Sequence, residues 1–358
     1  MTDKQSEQFT GTMEVRDKHA FDTARLEEYM QAHVEGFSGP LEIEQFKGGQ
    51  SNPTYKLKAG GKNYVLRRKP PGKLLKSAHA VDREYKVITG LADTDVPVPK
   101  TYCLCEDEDV IGTAFYIMDC VEGRVLWDPS LPDYDNHTRA KMYDEMNRVI
   151  ASLHTVDYEK VGLSDYGKHS DYFARQIGRW TKQYRASETE SIAAMDKLME
   201  WLPENIPEGE ETSIVHGDYR LDNMIFHPTE PRIVAILDWE LSTLGHPMAD
   251  FAYHCMSWHM PTAFRGLAGV KLESLGIPSE QEYANRYFER VGREPVSADY
   301  WDYCMAYNMF RIAAILQGIM GRVKDGTAAS KQAEQMGRMA GPLGQLGWQQ
   351  VEKILARQ

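Results

Sequence analysis

The chain has 358 residues, 42% hydrophobic and 26% charged, with 53 acidic against 41 basic side chains and a formal net charge of −12. That length supports two hydrophobic cores, and the acidic balance argues against a nucleic-acid groove, because phosphate backbones are held by clustered Lys and Arg. No run of 18 apolar residues is present to span a membrane, and the polar start "MTDKQSEQFT" shows no secretory h-region. Five scattered cysteines (Cys103, Cys105, Cys120, Cys255, Cys304) suggest no disulfide framework and fit a reduced, cytoplasmic setting.

After a polar opening over 1–18, "FDTARLEEYMQAHV" (21–34) repeats its apolar residues at helical spacing, with Asp22 as the cap. Between 41 and 70 the texture turns to short strands: "LEIEQFKGG", "SNPTYKLKAGG" and "KNYVLRRKPP". Gly60-Gly61 is a hairpin signal between the last two. A helix over 77–93 follows, Ser77 near its start and Gly90 near its end, and then strands at "KTYCLCEDE" and "TAFYIMDC". Strand, strand, strand, helix, strand, strand predicts a small α+β lobe on an antiparallel sheet. Beyond "VEGR" (121–124) the chain reads mostly helical. The spacing predicts helices over 138–156, in "SDYFARQIGRWTKQYRAS" and "SIAAMDKLMEWL", and later over 248–259, 279–291, 299–323 and 330–356.

One stretch breaks this helical run. "IVHGDYRLDNMIFHPTEPRIVAILDWE" (214–240) reads as strands near 224–227 and 233–237 joined by the turn "HPTEPR". A hairpin returns the end of its second strand to the start of its first, which brings Asn223 and Asp238 to one point. An amide oxygen with carboxylate oxygens suits Mg²⁺, which keeps several waters and takes its remaining ligands from phosphates. Asp218 stands apart, as a candidate base toward an incoming hydroxyl. The plain alternative is an Asx-rich turn whose side chains satisfy one another.

His216-Gly217-Asp218-x₄-Asn223, followed by Leu237-Asp238-Trp239-Glu240, resembles the catalytic hairpin of the aminoglycoside phosphotransferase and choline kinase family. The resemblance is closest to the branch that also occurs fused to acyl-CoA dehydrogenase domains, and it runs from "GGQSNPTYKL" to the final helices. It implies an α+β, bilobal protein-kinase-like fold: a nucleotide-binding lobe over 1–118, a hinge over 119–123 and a helical lobe over 124–358. It also implies ATP as co-substrate, Mg²⁺ as cofactor and a small-molecule hydroxyl as acceptor. On the kinase template Asp218 is the base, and Asn223 and Asp238 hold the metal. Arg220, two residues after the base, would face the transferred phosphoryl. His216 would brace the loop, and Asp250 would hold it through backbone N–H bonds.

The same resemblance places the nucleotide. Gly48, Gly49, Ser51 and Asn52 in "KGGQSNPTY" would form a phosphate loop, without the full G-x-G-x-x-G pattern. The stretch "YVLRR" lacks the lysine of a V-A-I-K strand. Alternation puts Arg67 beside Val65 on one face and Arg68 beside Leu66 on the other, so Arg67 is the counterpart. A guanidinium is wider and planar, so the geometry is altered. Glu84 is the expected acid partner, and Met118 with Asp119 to Val121 would meet adenine.

The acceptor is less defined. From Asp250 to Asp325 there are nine acidic and eight basic residues, no excess of carboxylates for a polycationic aminoglycoside. Hydroxylated acyl thioesters follow from the resemblance alone, with His254, Cys255, Trp258 and His259 as candidate pocket residues. The competing reading is a nucleotide-binding pseudokinase or regulator, suggested by the missing lysine and partial glycine loop. No A-P-E signature follows Asp238, which disfavours a protein kinase.

Overall fold

The structure, a computed structural model, describes residues 11–47, 52–70, 79–326 and 331–358. Gly48, Gly49 and Ser51 lie outside the described residues. The chain groups into two compact units: one runs to Tyr166 and adds 220–242 and 274–277, and the other holds 167–219, 243–273 and 278–358.

The first unit is built on strands β1 (Thr12–Met13), β2 (Glu42–Phe46), β3 (Thr54–Ala59), β4 (Lys62–Arg68), β5 (Thr101–Cys105) and β6 (Phe115–Asp119). They form one antiparallel sheet in the order β1-β2-β3-β4-β6-β5. β3 shows the reason for the pairing: Tyr55, Leu57 and Ala59 are buried while Thr54, Lys56 and Lys58 alternate onto the other face. Gly60 and Gly61 turn the chain into β4 with φ of +55° and +76°, both in the left-handed region that a two-residue hairpin turn demands.

Helix α1 (Thr23–His33) covers one face of the sheet. Asp22 caps it by accepting from the N–H groups of Ala24 and Arg25. Its Leu26 and Met30 join Tyr55, Leu57, Leu66, Phe115 and Ile117 in a dry core. Arg68 points to this side, donating to the carbonyls of Ile111 at 3.2 Å and His19 at 3.3 Å under the Phe21 ring. Strand alternation therefore turns Arg67 toward α2 (Val81–Leu91). That helix begins at Val81, four residues after the sequence expectation. His79 adopts a left-handed φ of +62°, and its Nδ1 lies 2.9 Å from Asn52 Oδ1. The same unit contains α3 (Asn136–Thr155), capped by Asp135, and a small sheet in the order β10 (Ile233–Ile236), β9 (Met224–Phe226), β7 (Arg124–Val125).

The second unit is helical: α4 (Tyr172–Ser187), α5 (Ala193–Glu204), α6 (Pro247–Cys255), α7 (Glu280–Val291), α8 (Ala298–Lys324), α9 (Lys331–Gly337) and α10 (Ala340–Arg357), with a two-stranded ribbon of β8 (Ser213–Val215) and β11 (Thr243–Gly245). α7 opens with a full capping box between Ser279 and Glu282. α8 is the central helix, burying Tyr303, Met305, Tyr307, Met309 and Phe310. The single helix expected over 330–356 is two, α9 and α10, separated at 338–339. Pro342 lies in the first turn of α10, where its missing N–H is tolerated; one continuous helix would place its ring against the carbonyl of residue 338. The stretch expected as a helix over 248–259 likewise ends at Cys255 and tightens into a 3₁₀ turn, Met256–Trp258. No helix among the described residues is long and apolar enough to cross a membrane.

Candidate active site

In the first unit, a cavity of about 530 Å³ is lined by Val65, Arg67, Tyr116, Met118, Asp119 to Val121, Asn223 and Asp238, a volume in the range of small-molecule sites. Arg67, Met118, Asp119, Val121, Asn223 and Asp238, all expected from the sequence, thus line one space. Arg67 is its electrostatic centre. Its Nε lies 2.8 Å from Glu84 Oε2, and its Nη2 lies 2.6 Å from Asp238 Oδ1 and 3.8 Å from Glu240 Oε2. Burial works against the Arg67 charge, but the Glu84 and Asp238 carboxylates outweigh it and hold the guanidinium above its ordinary value.

Glu84 is 1% exposed, which only a dense set of donors makes tolerable. Asn52 Nδ2 donates to its Oε1 at 2.8 Å and the Tyr116 hydroxyl to its Oε2 at 3.1 Å. Asn52 is fully buried, its amide engaged by Glu84 and His79. The sequence placed Asn52 in the phosphate loop; its side chain braces Glu84. Tyr116 was not anticipated, although its position two residues before Met118 puts it on the same strand face.

Asp238 closes β10 with φ +64° and ψ +59°, a left-handed conformation that Asp tolerates better than most L-residues. The turn is held from both sides. The Leu237 N–H donates to the Asn223 carbonyl at 2.8 Å, and the buried Trp239 indole donates to the Ile236 carbonyl at 3.0 Å. Asn223, 9% exposed, and Asp238 both reach the cavity. An amide oxygen and a carboxylate are hard oxygen donors of the kind Mg²⁺ takes, so the residues fit that ion. Arg220 is half exposed and pairs with Asp222 at 3.3 Å. Along the 119–123 segment, Asp119 donates its N–H to the Lys100 carbonyl at 2.8 Å, and its carboxylate accepts from the Tyr102 hydroxyl.

In the second unit, β8 leads into His216, Gly217 and Asp218. Asp250, in the first turn of α6, accepts the His216 N–H at Oδ2 and the Gly217 N–H at Oδ1, both at 2.8 Å. Gly217 has φ +82°, a conformation glycine adopts without strain. His216 is fully buried and its Nδ1 accepts the Asp218 N–H at 3.1 Å. The loop is thus held by its backbone, and the Asp218 carboxylate accepts the Tyr253 hydroxyl at Oδ1, 2.5 Å. Arg311 donates from Nη2 to the Gly217 carbonyl at 2.6 Å.

Tyr253 and Arg311 were missed. Tyr253 follows Asp250 by three residues, so both face one way on α6, and an arginine inside the apolar run "NMFRIAAIL" is itself a signal of a buried partner. Among the candidate pocket residues, His254 is held by Tyr283 at 2.7 Å and the Tyr219 carbonyl at 3.2 Å, and burial lowers it to about 4. Cys255 is fully buried, and the Trp258 indole donates to the Pro278 carbonyl at 3.0 Å. These three belong to the packing of the helical unit. His259 is partly exposed and lies 2.8 Å from Glu280.

Comparison with solved structures defines the class first. Choline kinase from Cryptosporidium parvum aligns with 94% of this chain and 97% of its own, at a TM-score of 0.65 and 12% identity. A thermostable mutant of aminoglycoside phosphotransferase APH(4)-Ia, in ternary complex with AMP-PNP and hygromycin B, aligns at 0.58 and 17% identity over 90% and 98%. The fold is therefore the protein-kinase-like α+β fold, antiparallel sheet first and helices after. Residues 42–310 match the model of the phosphotransferase enzyme family APH, and the chain belongs to that family.

Nearer relatives fall within it. A Ralstonia eutropha protein, provisionally called an aminoglycoside phosphotransferase, is 60% identical, with a TM-score of 0.87 over 93% of this chain and 99% of its own. Acyl-CoA dehydrogenase family member 10 of Mus musculus is 45% identical over 341 residues, 94% of this chain and 32% of that protein. Family member 11 of Homo sapiens is 39% identical over 94% of this chain and 44% of that protein. The chain spans 32% to 44% of the length of these curated relatives.

Proposed function

We propose that the protein is an ATP- and Mg²⁺-dependent phosphotransferase that moves the γ-phosphoryl group to a hydroxyl of a small metabolite. The observation that carries this reading is Arg67, held by buried Glu84 and by Asp238 in the cavity that also contains Asn223. Arg67 would meet the phosphates, Glu84 would aim it, and the main chain of Asp119 to Val121 with Met118 would take the adenine. Gly48, Gly49 and Ser51 keep their proposed place over the phosphates on sequence grounds.

Asn223 and Asp238 would hold Mg²⁺, which when bound neutralises charge on the phosphates. On the kinase template that the motif resembles, Asp218 is proposed as the base. The acceptor oxygen forms the new P–O bond, the bond from the γ-phosphorus to the β–γ bridging oxygen breaks, and the hydroxyl proton passes to Asp218. Arg220 is proposed as a charge facing the transferred group.

For the acceptor, the relatives named as acyl-CoA dehydrogenase family members favour a hydroxylated acyl thioester. A second reading, a nucleotide-binding regulator, is favoured by the direct Arg67–Asp238 ion pair in place of a lysine. Titration calorimetry with Mg-ATP, followed by a screen of hydroxyacyl-CoAs and other hydroxylated metabolites read by ADP release, separates the two. Binding plus acceptor-dependent ADP release supports the enzyme. Tight binding with no turnover on any acceptor supports the regulator.

A further inference from the structure

We propose that Tyr253 is the positioning residue of the Asp218 base, fixing its carboxylate through the hydroxyl while Asp250, one turn earlier on the same helix, fixes the backbone of His216 and Gly217 just before it. The proposal rests on the reading of Asp218 as the base.

Two helices of the second unit converge on the loop with the same spacing. α6 presents Asp250 and Tyr253, three residues apart and so on one face; the first holds the N–H groups of His216 and Gly217, the second holds Asp218 Oδ1 at 2.5 Å. α8 presents Asn308 and Arg311, again three apart. Asn308 Nδ2 donates to the Ala249 carbonyl at 2.9 Å, which ties α8 to α6, and Arg311 donates to the Gly217 carbonyl at 2.6 Å.

The Arg311 guanidinium also packs 5.3 Å from the Tyr253 ring centre and 5.9 Å from that of Trp180. Burial opposes its charge, but the oxygens of Tyr307, Tyr172, Tyr253 and Asp218 outweigh this and keep it protonated. The Tyr253 ring, 6% exposed, thus packs beside a buried cation, with its hydroxyl on Asp218 Oδ1.

An O–H···O⁻ bond of 2.5 Å is at the short, strong end of its class. Holding Oδ1 sets the rotamer of Asp218 and with it the direction of Oδ2, which is what a base must control, since small misplacements of a reacting group cost up to a hundredfold in rate. Nothing in this arrangement depends on which hydroxyl arrives, so water can serve as the acceptor in a test.

The experiment measures steady-state Mg-ATP hydrolysis, with water as acceptor, in the full chain and in Tyr253→Phe, Asp218→Asn and the double variant. Phe keeps the ring on Arg311, and folding is checked by an unchanged Mg-ATP affinity. The expected result is a fall in kcat of about tenfold or more for Tyr253→Phe, an unchanged KM for Mg-ATP, and no further loss when the change is added to Asp218→Asn. A wild-type rate for Tyr253→Phe overturns the proposal, as does the same loss recurring in the Asp218→Asn background, because Tyr253 would then not act through Asp218. A wild-type rate for Asp218→Asn is a separate outcome that refutes the base itself and the proposal with it.

Discussion

Replacing Arg67 with Met removes the cation from among Glu84, Asp238 and Glu240 while keeping an unbranched chain of similar reach. Glu84, 1% exposed, then retains the Asn52 amide and the Tyr116 hydroxyl as donors but no opposite charge. Breaking a buried pair from one side costs roughly 3–5 kcal/mol. Two hydrogen bonds to the charged carboxylate, each worth about 1.5–3 kcal/mol, keep the expected loss at the lower end, about 3 kcal/mol.

The assay is urea unfolding of Arg67→Met, Glu84→Gln and the double variant, with Mg-ATP affinity measured in parallel. The double variant is expected to recover most of the lost stability, because the stranded charge is gone, yet to bind Mg-ATP at least tenfold more weakly than wild type. The pH dependence follows the same logic. Burial pushes the Glu84 carboxyl up, and removing Arg67 pushes it further. A carboxyl with a folded value above its unfolded one binds its proton more tightly when folded, so the deficit of Arg67→Met shrinks as pH falls. A double variant as unstable as Arg67→Met would put the cost on lost packing and not on a stranded Glu84 charge.

Three further outcomes are expected. Asp250→Ala removes the acceptor of two buried N–H groups and should lower stability by about 2 kcal/mol or more and turnover by at least a hundredfold; turnover within a few-fold of wild type would contradict the bracing role. His254, lowered by burial to about 4 from 6.5, stays neutral in the folded chain while it protonates in the unfolded one. Stability should therefore fall by about 3 kcal/mol as pH drops from 6.5 to 4, and His254→Gln should flatten that slope in an unfolding series. Arg83 donates to the carbonyls of Tyr166 and Ser242 at 2.7 and 3.4 Å with its guanidinium 4.3 Å from the Tyr166 ring, tying α2 to the segment after Asp238. Arg83→Ala should speed hydrogen exchange across 81–91 and weaken Mg-ATP binding several-fold; unchanged exchange would show that α2 is held by its apolar face alone.

Local chemistry made much of the fold legible. Strand alternation separated Arg67 from Arg68, the Gly60-Gly61 pair marked its turn, and Asp22 marked its cap, because each depends on residues within a few positions of one another. The last two helices, α9 and α10, were less so. Hydrophobic spacing alone joined 330–356 through the break at 338–339, where Pro342 four residues on opposes a continuous helix. In the site, the hairpin motif pointed to Asn223 and Asp238, which one turn brings to the same cavity. Tyr116, Tyr253 and Arg311, and the bracing role of Asn52, escaped notice because they are tertiary: each is defined by a partner tens of residues away, Glu84 for Tyr116 and Asn52 and the 216–218 loop for the others. The departure "YVLRR" was visible at once, but that Arg67 would gather three carboxylates was not, since Glu240 carries no motif of its own.

The central claim, phosphoryl transfer with Asp218 as base, is tested most directly by single-turnover transfer from γ-labelled Mg-ATP to a hydroxyacyl-CoA acceptor, in wild type and Asp218→Asn. A labelled phosphoester is expected with wild type and a fall of roughly 10²–10⁴-fold in the variant, with Mg-ATP affinity preserved. Equal transfer rates in the two proteins would contradict it.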